Sequence, residues 1–212
     1  MISAVITCAG NGSRFGGKDK LMELVGKRPV VVRTIMQFQK AKSIDEIVVA
    51  AKKTHFAEYK SLFKKYQLRA KLIEGGEKRF TSAYNGVRAS KGDGIIVHDG
   101  ARPLVSIRLI EEICNEMKTH RAVMAALEPH TCVKQSENGF VCANLPRPKT
   151  WLGQTPQAFT RELILRAYEY GIKNDLDGMD DCELVSLMNV KVKIVRGDLE
   201  NVKITTPFDL II

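Results

Sequence analysis

Short, continuously apolar runs recur along the chain at Ala4–Cys8, Glu46–Ala51, Lys71–Ile73, Gly94–His98, Ala122–Leu127 and Lys191–Val195. Helix-like stretches fall between most of them, at Val30–Gln39, His55–Tyr66, Ser82–Ala89 and Ile107–His120. Runs such as Ile47-Val-Val-Ala and Gly94-Ile-Ile-Val do not alternate with polar residues. A strand of that kind must be covered on both faces. The alternation therefore predicts a three-layer α/β domain with a mostly parallel sheet. Such sheets bind ligands beyond the carboxyl ends of their strands. The loop after Cys8, the Gly75-Gly76 turn and the His98-Asp99 pair all sit at such ends and are expected to share one crevice.

The first of these loops names a ligand class. It reads Ala9-Gly-Asn-Gly-Ser-Arg14-Phe-Gly-Gly-Lys-Asp-Lys20. Small residues let backbone N–H groups approach a polyanion, and Arg14, Lys18 and Lys20 supply opposing charge. The loop lacks the G-K-[ST] of a Walker loop. Its third glycine is one position late for a dinucleotide fingerprint. Ala9, Gly10, Asn11 and Gly12 are the expected backbone contacts to a phosphate compound. The competing reading is a solvent-facing βα turn.

Composition narrows the partners. The chain has 212 residues, 44% hydrophobic and 27% charged, with a formal charge of +9. That length suits one domain with a real core. No apolar run approaches the ~18 residues needed to span a bilayer, and Met1-Ile-Ser-Ala lacks a charged leader. A cytoplasmic protein without membrane association is expected. The five cysteines are scattered without a C-x-x-C spacing and read as reduced core thiols. The positive charge is spread along the chain, with no basic tail or aromatic RNA-binding signature. It points to a small polyphosphate rather than nucleic acid.

Four further blocks carry chemistry. Glu74-Gly-Gly-Glu-Lys-Arg79-Phe-Thr-Ser82 ends a strand and opens a helix. Gly75 and Gly76 permit close backbone approach, Ser82 is placed to bond a base or ribose, and Arg79 is either a ligand contact or a surface cation. In Val97-His-Asp99-Gly-Ala-Arg102-Pro103, Asp99 stands where a carboxylate would hold Mg²⁺ together with substrate phosphates. Arg102 would clamp a second phosphate, unless it merely pairs with Asp99. In Leu145-Pro-Arg147-Pro-Lys-Thr-Trp151-Leu-Gly-Gln154-Thr-Pro-Gln-Ala-Phe159, prolines stiffen the chain around Arg147. In Gly197-Asp-Leu-Glu-Asn201-Val-Lys203-Ile-Thr-Thr-Pro207, a single lysine lies in a strand-like piece that is expected to return to the crevice.

One stretch breaks the alternation. From Thr131 to about Asn144 the sequence predicts a hairpin turning at Asn138-Gly139. Such an arm would offer a free edge to a second subunit. The chain is read as one domain, 1–212, with 131–150 as a dimerisation arm, and Arg147 is placed to reach a neighbour's crevice.

Taken in order, Gly-Gly-x-x-Arg, His-Asp-x-Ala-Arg-Pro, Gln-Thr-Pro-Gln-x-Phe and Asn-x-Lys-Ile-Thr-x-Pro resemble the 2-C-methyl-D-erythritol 4-phosphate cytidylyltransferase family of the nonmevalonate isoprenoid pathway. The likeness runs from Ala4 to Leu210. It implies a Rossmann-like nucleotidyltransferase that forms homodimers through a β-arm and uses CTP with Mg²⁺. By that likeness Arg14 and Lys20 stabilise the pentavalent phosphorus, while Arg147 and Lys203 position the polyol phosphate. The nucleotide contacts implied are Ala9, Gly10, Asn11, Gly12, Gly75, Gly76, Arg79, Ser82, Asp99 and Ala101. Those to the acceptor are Asp99, Arg102, Thr131, Arg147 and Lys203. The sequence departs from the family at Leu21 after the loop lysine, at Thr131-Cys132-Val133-Lys134, at Gly100 and at Met179.

The reaction implied is in-line attack of the acceptor's phosphate oxygen on the α-phosphorus of CTP, which needs alignment and charge neutralisation rather than a protein nucleophile. Two alternatives stand beside it. One is a cytidylyltransferase for ribitol 5-phosphate or another polyol phosphate, and the other is a catalytically degenerate nucleotide-binding protein.

Overall fold

The computed structural model describes residues 1–10, 15, 19–176 and 180–211. The strands are β1 (Ile2–Cys8), β2 (Leu24–Val25), β3 (Arg28–Pro29), β4 (Glu46–Ala51), β5 (Lys71–Glu74), β6 (Gly94–Asp99), β7 (Ala122–Leu127), β8 (Val133–Glu137), β9 (Phe140–Leu145), β10 (Leu152–Thr160) and β11 (Lys193–Arg196). The helices are α1 (Val30–Lys40), α2 (Phe56–Lys65), α3 (Arg79–Ala89), α4 (Ile107–Glu116), α5 (Arg161–Lys173) and α6 (Asp181–Ser186).

Seven strands form one sheet in the order β11-β7-β10-β6-β1-β4-β5. All neighbours run parallel except β10, which is antiparallel to both β6 and β7. Successive residues of a strand face opposite sides, and β1 shows the consequence. Ala4, Ile6 and Cys8 join a core with Val31, Ile35 and Phe38 of α1 and Leu109 and Ile113 of α4. Val5 joins the opposite core with Ala83 and Val87 of α3 and Leu163, Ile164 and Ala167 of α5. The three-layer α/β expectation is met.

Several elements are absent from the sequence reading, β10 and α5 the longest of them. Leu152–Thr160 was expected only as a motif-bearing segment. It is the antiparallel strand β10 between β6 and β7, with its register broken between Gly153 and Gln157. Arg161–Lys173 is the long helix α5. The predicted helix over 107–120 stops earlier, at Glu116.

Among the described residues, the hairpin of β8 and β9 pairs only with itself. Its two-residue turn has positive φ at Asn138 (50°) and Gly139 (84°), the type I′ geometry that suits the twist of a tight hairpin. Phe140 and Val141 are 78% and 61% exposed.

Helix α3 carries two of the expected site residues, so its distance from the sheet matters. Gly86 sets that distance: a Cβ there would overlap Val5 Cγ1 on β1. Gly86→Ala should therefore destabilise the protein by about 1–3 kcal/mol despite its better helix propensity. Val5→Ala in the same chain should recover part of the loss, as read by denaturant unfolding.

Candidate active site

The carboxyl ends of β1 and β6 and the first turn of α3 open on a cavity of about 250 Å³, whose walls include Gly10, Lys20, Arg79, Ser82, Asp99 and Lys203. The β1 and β5 loops meet closely. A Cβ on Gly75 would lie 2.6 Å from that of Ala9, so only glycine allows the two loops to touch. Ser82 Oγ accepts the Gly76 N–H at 3.0 Å and reaches the Gly76 and Lys78 carbonyls at 3.1 and 3.0 Å. Its hydroxyl therefore shapes the Gly-Gly turn from beneath.

Asp99 forms the charged centre, with a side chain only 7% exposed. Arg79 Nε donates to its Oδ1 at 2.8 Å, Lys203 Nζ lies 2.8 Å from Oδ2, and Arg102 Nε lies 3.6 Å from Oδ2. Burial opposes ionisation of Asp99, but Arg79, Lys203 and Arg102 outweigh it and hold the carboxyl well below its ordinary range. Arg79 also donates through Nη2 to Asp181 Oδ2 at 2.8 Å, and Tyr168 Oη donates to Asp181 Oδ1 at 2.8 Å. Burial disfavours the Arg79 cation, yet Asp181 and Asp99 together raise its pKa well above the usual value. Arg79 Nη1 has no hydrogen-bond partner among the described residues.

The final segment reaches this centre through backbone pairing. Ile204 N–H donates to the Ala101 carbonyl at 2.8 Å, which sets Lys203 beside Asp99. Lys20 Nζ donates to the Ile204 carbonyl at 2.7 Å. Three cations from distant segments, Lys20, Arg79 and Lys203, thus border one small cavity. Pre-placed positive charge of this kind suits a polyphosphate whose charge builds during reaction.

Comparison with known proteins agrees with the geometry. A family profile described as "IspD: 2-C-methyl-D-erythritol 4-phosphate cytidylyltransferase" matches residues 2–212. The chain belongs to this family. A 2-C-methyl-D-erythritol 4-phosphate cytidylyltransferase of Geobacillus thermodenitrificans is 35% identical over 98% of this chain and 93% of its own length. One from Bacillus cereus is 34% identical over 100% of this chain and 96% of its own. Among solved structures, 4-diphosphocytidyl-2C-methyl-D-erythritol synthase of Anaerococcus prevotii matches with a TM-score of 0.89 at 31% identity, covering 100% of this chain and 93% of that one. The Thermus thermophilus cytidylyltransferase matches with a TM-score of 0.83 at 27% identity, covering 100% and 96%.

Within this family's chain, the expected site residues divide into three groups. Ala9, Gly10, Lys20, Arg79, Ser82, Asp99, Ala101 and Lys203 line the same cavity, and Gly75 and Gly76 flank it. Asn11, Gly12 and Arg14, like Lys18 and Met179, lie outside the described residues. Thr131 and Arg147 do not line the cavity. Thr131 is exposed before the hairpin. Arg147 follows it on a single 3-10 turn and lines a separate depression with Arg108 and Arg196. Arg102 does not line the cavity: its Nη1 donates to the Asn201 carbonyl at 2.7 Å, and its Nε lies 3.6 Å from Asp99 Oδ2.

Several residues that build the site escaped sequence reasoning. Gln154 Nε2 donates to the Asp198 carbonyl at 3.0 Å, and Asn201 Nδ2 donates to the Thr155 carbonyl at 2.8 Å, which together dock the final segment on β10. Gln157 accepts the Cys182 N–H at 3.1 Å and donates to Asp180 at 2.9 Å, docking α6. A signal for α6 was present: Asp180 and Glu183 form a capping box, each side chain accepting the other's backbone N–H at 2.8 Å.

His98 beside Asp99 is a neutral strut. Its Nε2 faces the Arg102 carbonyl at 3.3 Å, which can only accept, so Nε2 carries the proton. Nδ1 then accepts from Thr155 Oγ1 at 3.0 Å, and that oxygen accepts the Asp99 N–H at 3.1 Å. Burial pushes the imidazole down from 6.5 to about 3. An unfolded chain binds this proton as pH falls through 6.5, whereas the folded one does not until about 3. Stability should therefore fall by about 1.4 kcal/mol per pH unit across that window on this group's account. His98→Gln, which keeps an Nε2 donor, should lose that part of the slope in unfolding curves taken between pH 7 and pH 3.

Proposed function

We propose that this chain transfers CMP from CTP to 2-C-methyl-D-erythritol 4-phosphate, giving 4-diphosphocytidyl-2-C-methylerythritol and pyrophosphate. Family membership names the reaction. The observation that carries it to these residues is the convergence of Lys20, Arg79 and Lys203 on the cavity above Asp99.

An acceptor phosphate oxygen forms the new bond to the α-phosphorus, and the α–β bridging bond breaks with its electron pair leaving on pyrophosphate. A phosphate monoester dianion needs no base, so the enzyme's task is alignment and neutralisation. Arg14 and Lys20 neutralise charge on the nonbridging and leaving oxygens, and Lys203 and Arg147 orient the acceptor phosphate. Thr131, Arg102 and Asp99 complete the acceptor side. Backbone groups of residues 9–12 and the Gly75-Gly76 turn, with Ser82 and Ala101, hold the nucleotide. Lys203 meets a carboxylate oxygen and Lys20 meets a backbone carbonyl, acceptors of the kind a phosphate oxygen also offers.

The described residues contain no group of three or more His, Cys, Asp or Glu side chains that could cage a metal. Mg²⁺ arriving on a triphosphate typically takes one or two protein carboxylates. Asp99 would hold it in exchange for one of its present cations, and the metal would supply further neutralisation of the phosphates.

The hairpin supports a homodimer in which residues 131–150 pack on a second copy, because its apolar side chains are exposed here. No helix among the described residues is long and apolar enough to cross a membrane, which is compatible with a cytoplasmic enzyme.

Pyrophosphate release with CTP and Mg²⁺ tests the reading directly. It should be fastest with 2-C-methyl-D-erythritol 4-phosphate and much slower with ribitol 5-phosphate, and the reverse order would replace the acceptor. Tight CTP binding without release on any acceptor would point to a degenerate protein. Lys20→Ala should lower kcat by about 10²–10³-fold with an unchanged melting temperature. If Arg147 serves the partner's site, mixing inactive Lys20→Ala and Arg147→Ala proteins should restore activity in the heterodimer, since one of its two sites is then intact.

A further inference from the structure

The residue before Lys20 is an aspartate, and the structure ties it to a histidine on a different element. Asp19 Oδ2 lies 3.1 Å from His55 Nδ1, with the two side chains 25% and 34% exposed. The other carboxylate oxygen accepts the Leu21 N–H at 3.0 Å, and the Asp19 carbonyl accepts the Met22 N–H at 3.0 Å. Residues 19–22 thus form a turn with Lys20 second in it. Leu21, 5% exposed, sinks its side chain into the core, and its carbonyl accepts the Val31 N–H at 3.1 Å. On the other side, His55 ends the 3-10 turn Lys53–His55 and stands at the N-cap of α2, its N–H held by the Lys52 carbonyl at 3.0 Å. Phe56, the next residue, packs against the core.

We propose that Asp19 and His55 are a positioning pair that fixes Lys20 at the cavity wall. One carboxylate oxygen shapes the turn from within, while the other is pulled toward the anchored start of α2. The Lys20 side chain therefore leaves a turn secured at both flanks, and its ammonium meets the Ile204 carbonyl across the cavity mouth. Partial shelter and the fixed base of His55 separate this contact from a pair of mobile surface charges, which contributes little. The inference rests on the reading of Lys20 as a phosphate-neutralising group. Because that neutralisation grows as the reaction proceeds, a displaced Lys20 lowers kcat and leaves substrate KM nearly unchanged.

Steady-state kinetics on five variants of the full chain, each checked by thermal melting, test the pair. Asp19→Asn keeps an oxygen for the Leu21 N–H but removes the negative charge. His55→Asn sets an amide N–H near the position of Nδ1, whereas His55→Ala sets nothing there. Asp19→Asn and His55→Ala should each lower kcat about 10-fold with KM within about 2-fold, the scale of a small misplacement of a catalytic group. The double variant should be no worse than either single one, because both remove one interaction. His55→Asn should recover to within about 3-fold of wild type. Lys20→Ala, measured in parallel, separates the two levels of the argument. A large Lys20→Ala loss with a near-normal His55→Ala rate, or additive losses in the double variant, would overturn the pair alone. A near-normal Lys20→Ala rate would overturn the reading of Lys20 and the pair with it.

Discussion

The buried carboxylate of Asp99 is the point on which three cations of this site meet. Isolated at that depth it would be expensive to ionise, and the several kcal/mol of desolvation must be offset by cations in contact. Arg79 comes from the start of α3, Lys203 from the final segment, and Arg102 from the loop after β6 itself. None of these segments is adjacent in sequence to both others. Without a common anion, three like charges at this spacing would repel one another and draw water into the cavity. With it, Arg79 and Lys203 line the same cavity from different segments, and Arg102 stands beside the carboxylate from its own loop. The depth of Asp99 is in turn set by β6, which lies between β1 and β10 in the centre of the sheet, with Asp99 level with Thr7 in the parallel register.

The second dependency is β10. It is the strand that runs against the rest, and it places Gln154, Thr155 and Gln157 within the interior. Each buried polar group there is matched to a partner on a different late segment: Gln154 to Asp198, Thr155 to Asn201, Gln157 to Cys182 and Asp180. A buried amide without such a partner would lose about 1–3 kcal/mol. With them, β10 acts as a rail on which the Lys203 segment and the Asp181 helix are hung. That explains how a motif without an ionisable group can govern where the charges stand. Its glutamines bind protein rather than ligand, and the cations they locate face the cavity.

The parts of this arrangement that sequence could reveal are those written in short-range chemistry. Continuous apolar runs gave the parallel strands, because a strand covered on both faces tolerates no polar residue. Asn138-Gly139 gave the hairpin turn, since positive φ is needed at both positions. Lys20, Arg79, Asp99 and Lys203 were legible as charges at strand or loop ends. β10 was not, because its proline and glutamines argue against a central strand. They are tolerated where the register breaks between Gly153 and Gln157, and by side-chain bonds to segments far along the chain. The partnership of Arg79 with Asp181 spans 102 residues, and no local pattern encodes it. Arg147 was legible as a stiffened cation, but its place beside Arg108 and Arg196 depends on how the hairpin leaves the sheet.

The way each cation is held also bears on how the site can work. Arg79 is locked between two carboxylates, Asp99 and Asp181, and Tyr168 secures the second of these from behind. It is a fixed part of the frame, and its Nη1 is buried without a hydrogen-bond partner among the described residues. Lys203 is 37% exposed and shares an oxygen already contested by Arg102, while Lys20 rests on a backbone carbonyl. Both contacts are to oxygen acceptors of the kind a phosphate also presents, so exchanging one for a phosphate oxygen would cost little net hydrogen bonding. The frame thus carries the electrostatic cost of gathering positive charge during folding, before any nucleotide arrives. Under the proposed function, charge placed in advance in this way needs little reorganisation, and this is what makes fixed charge more effective than water at a reacting phosphorus.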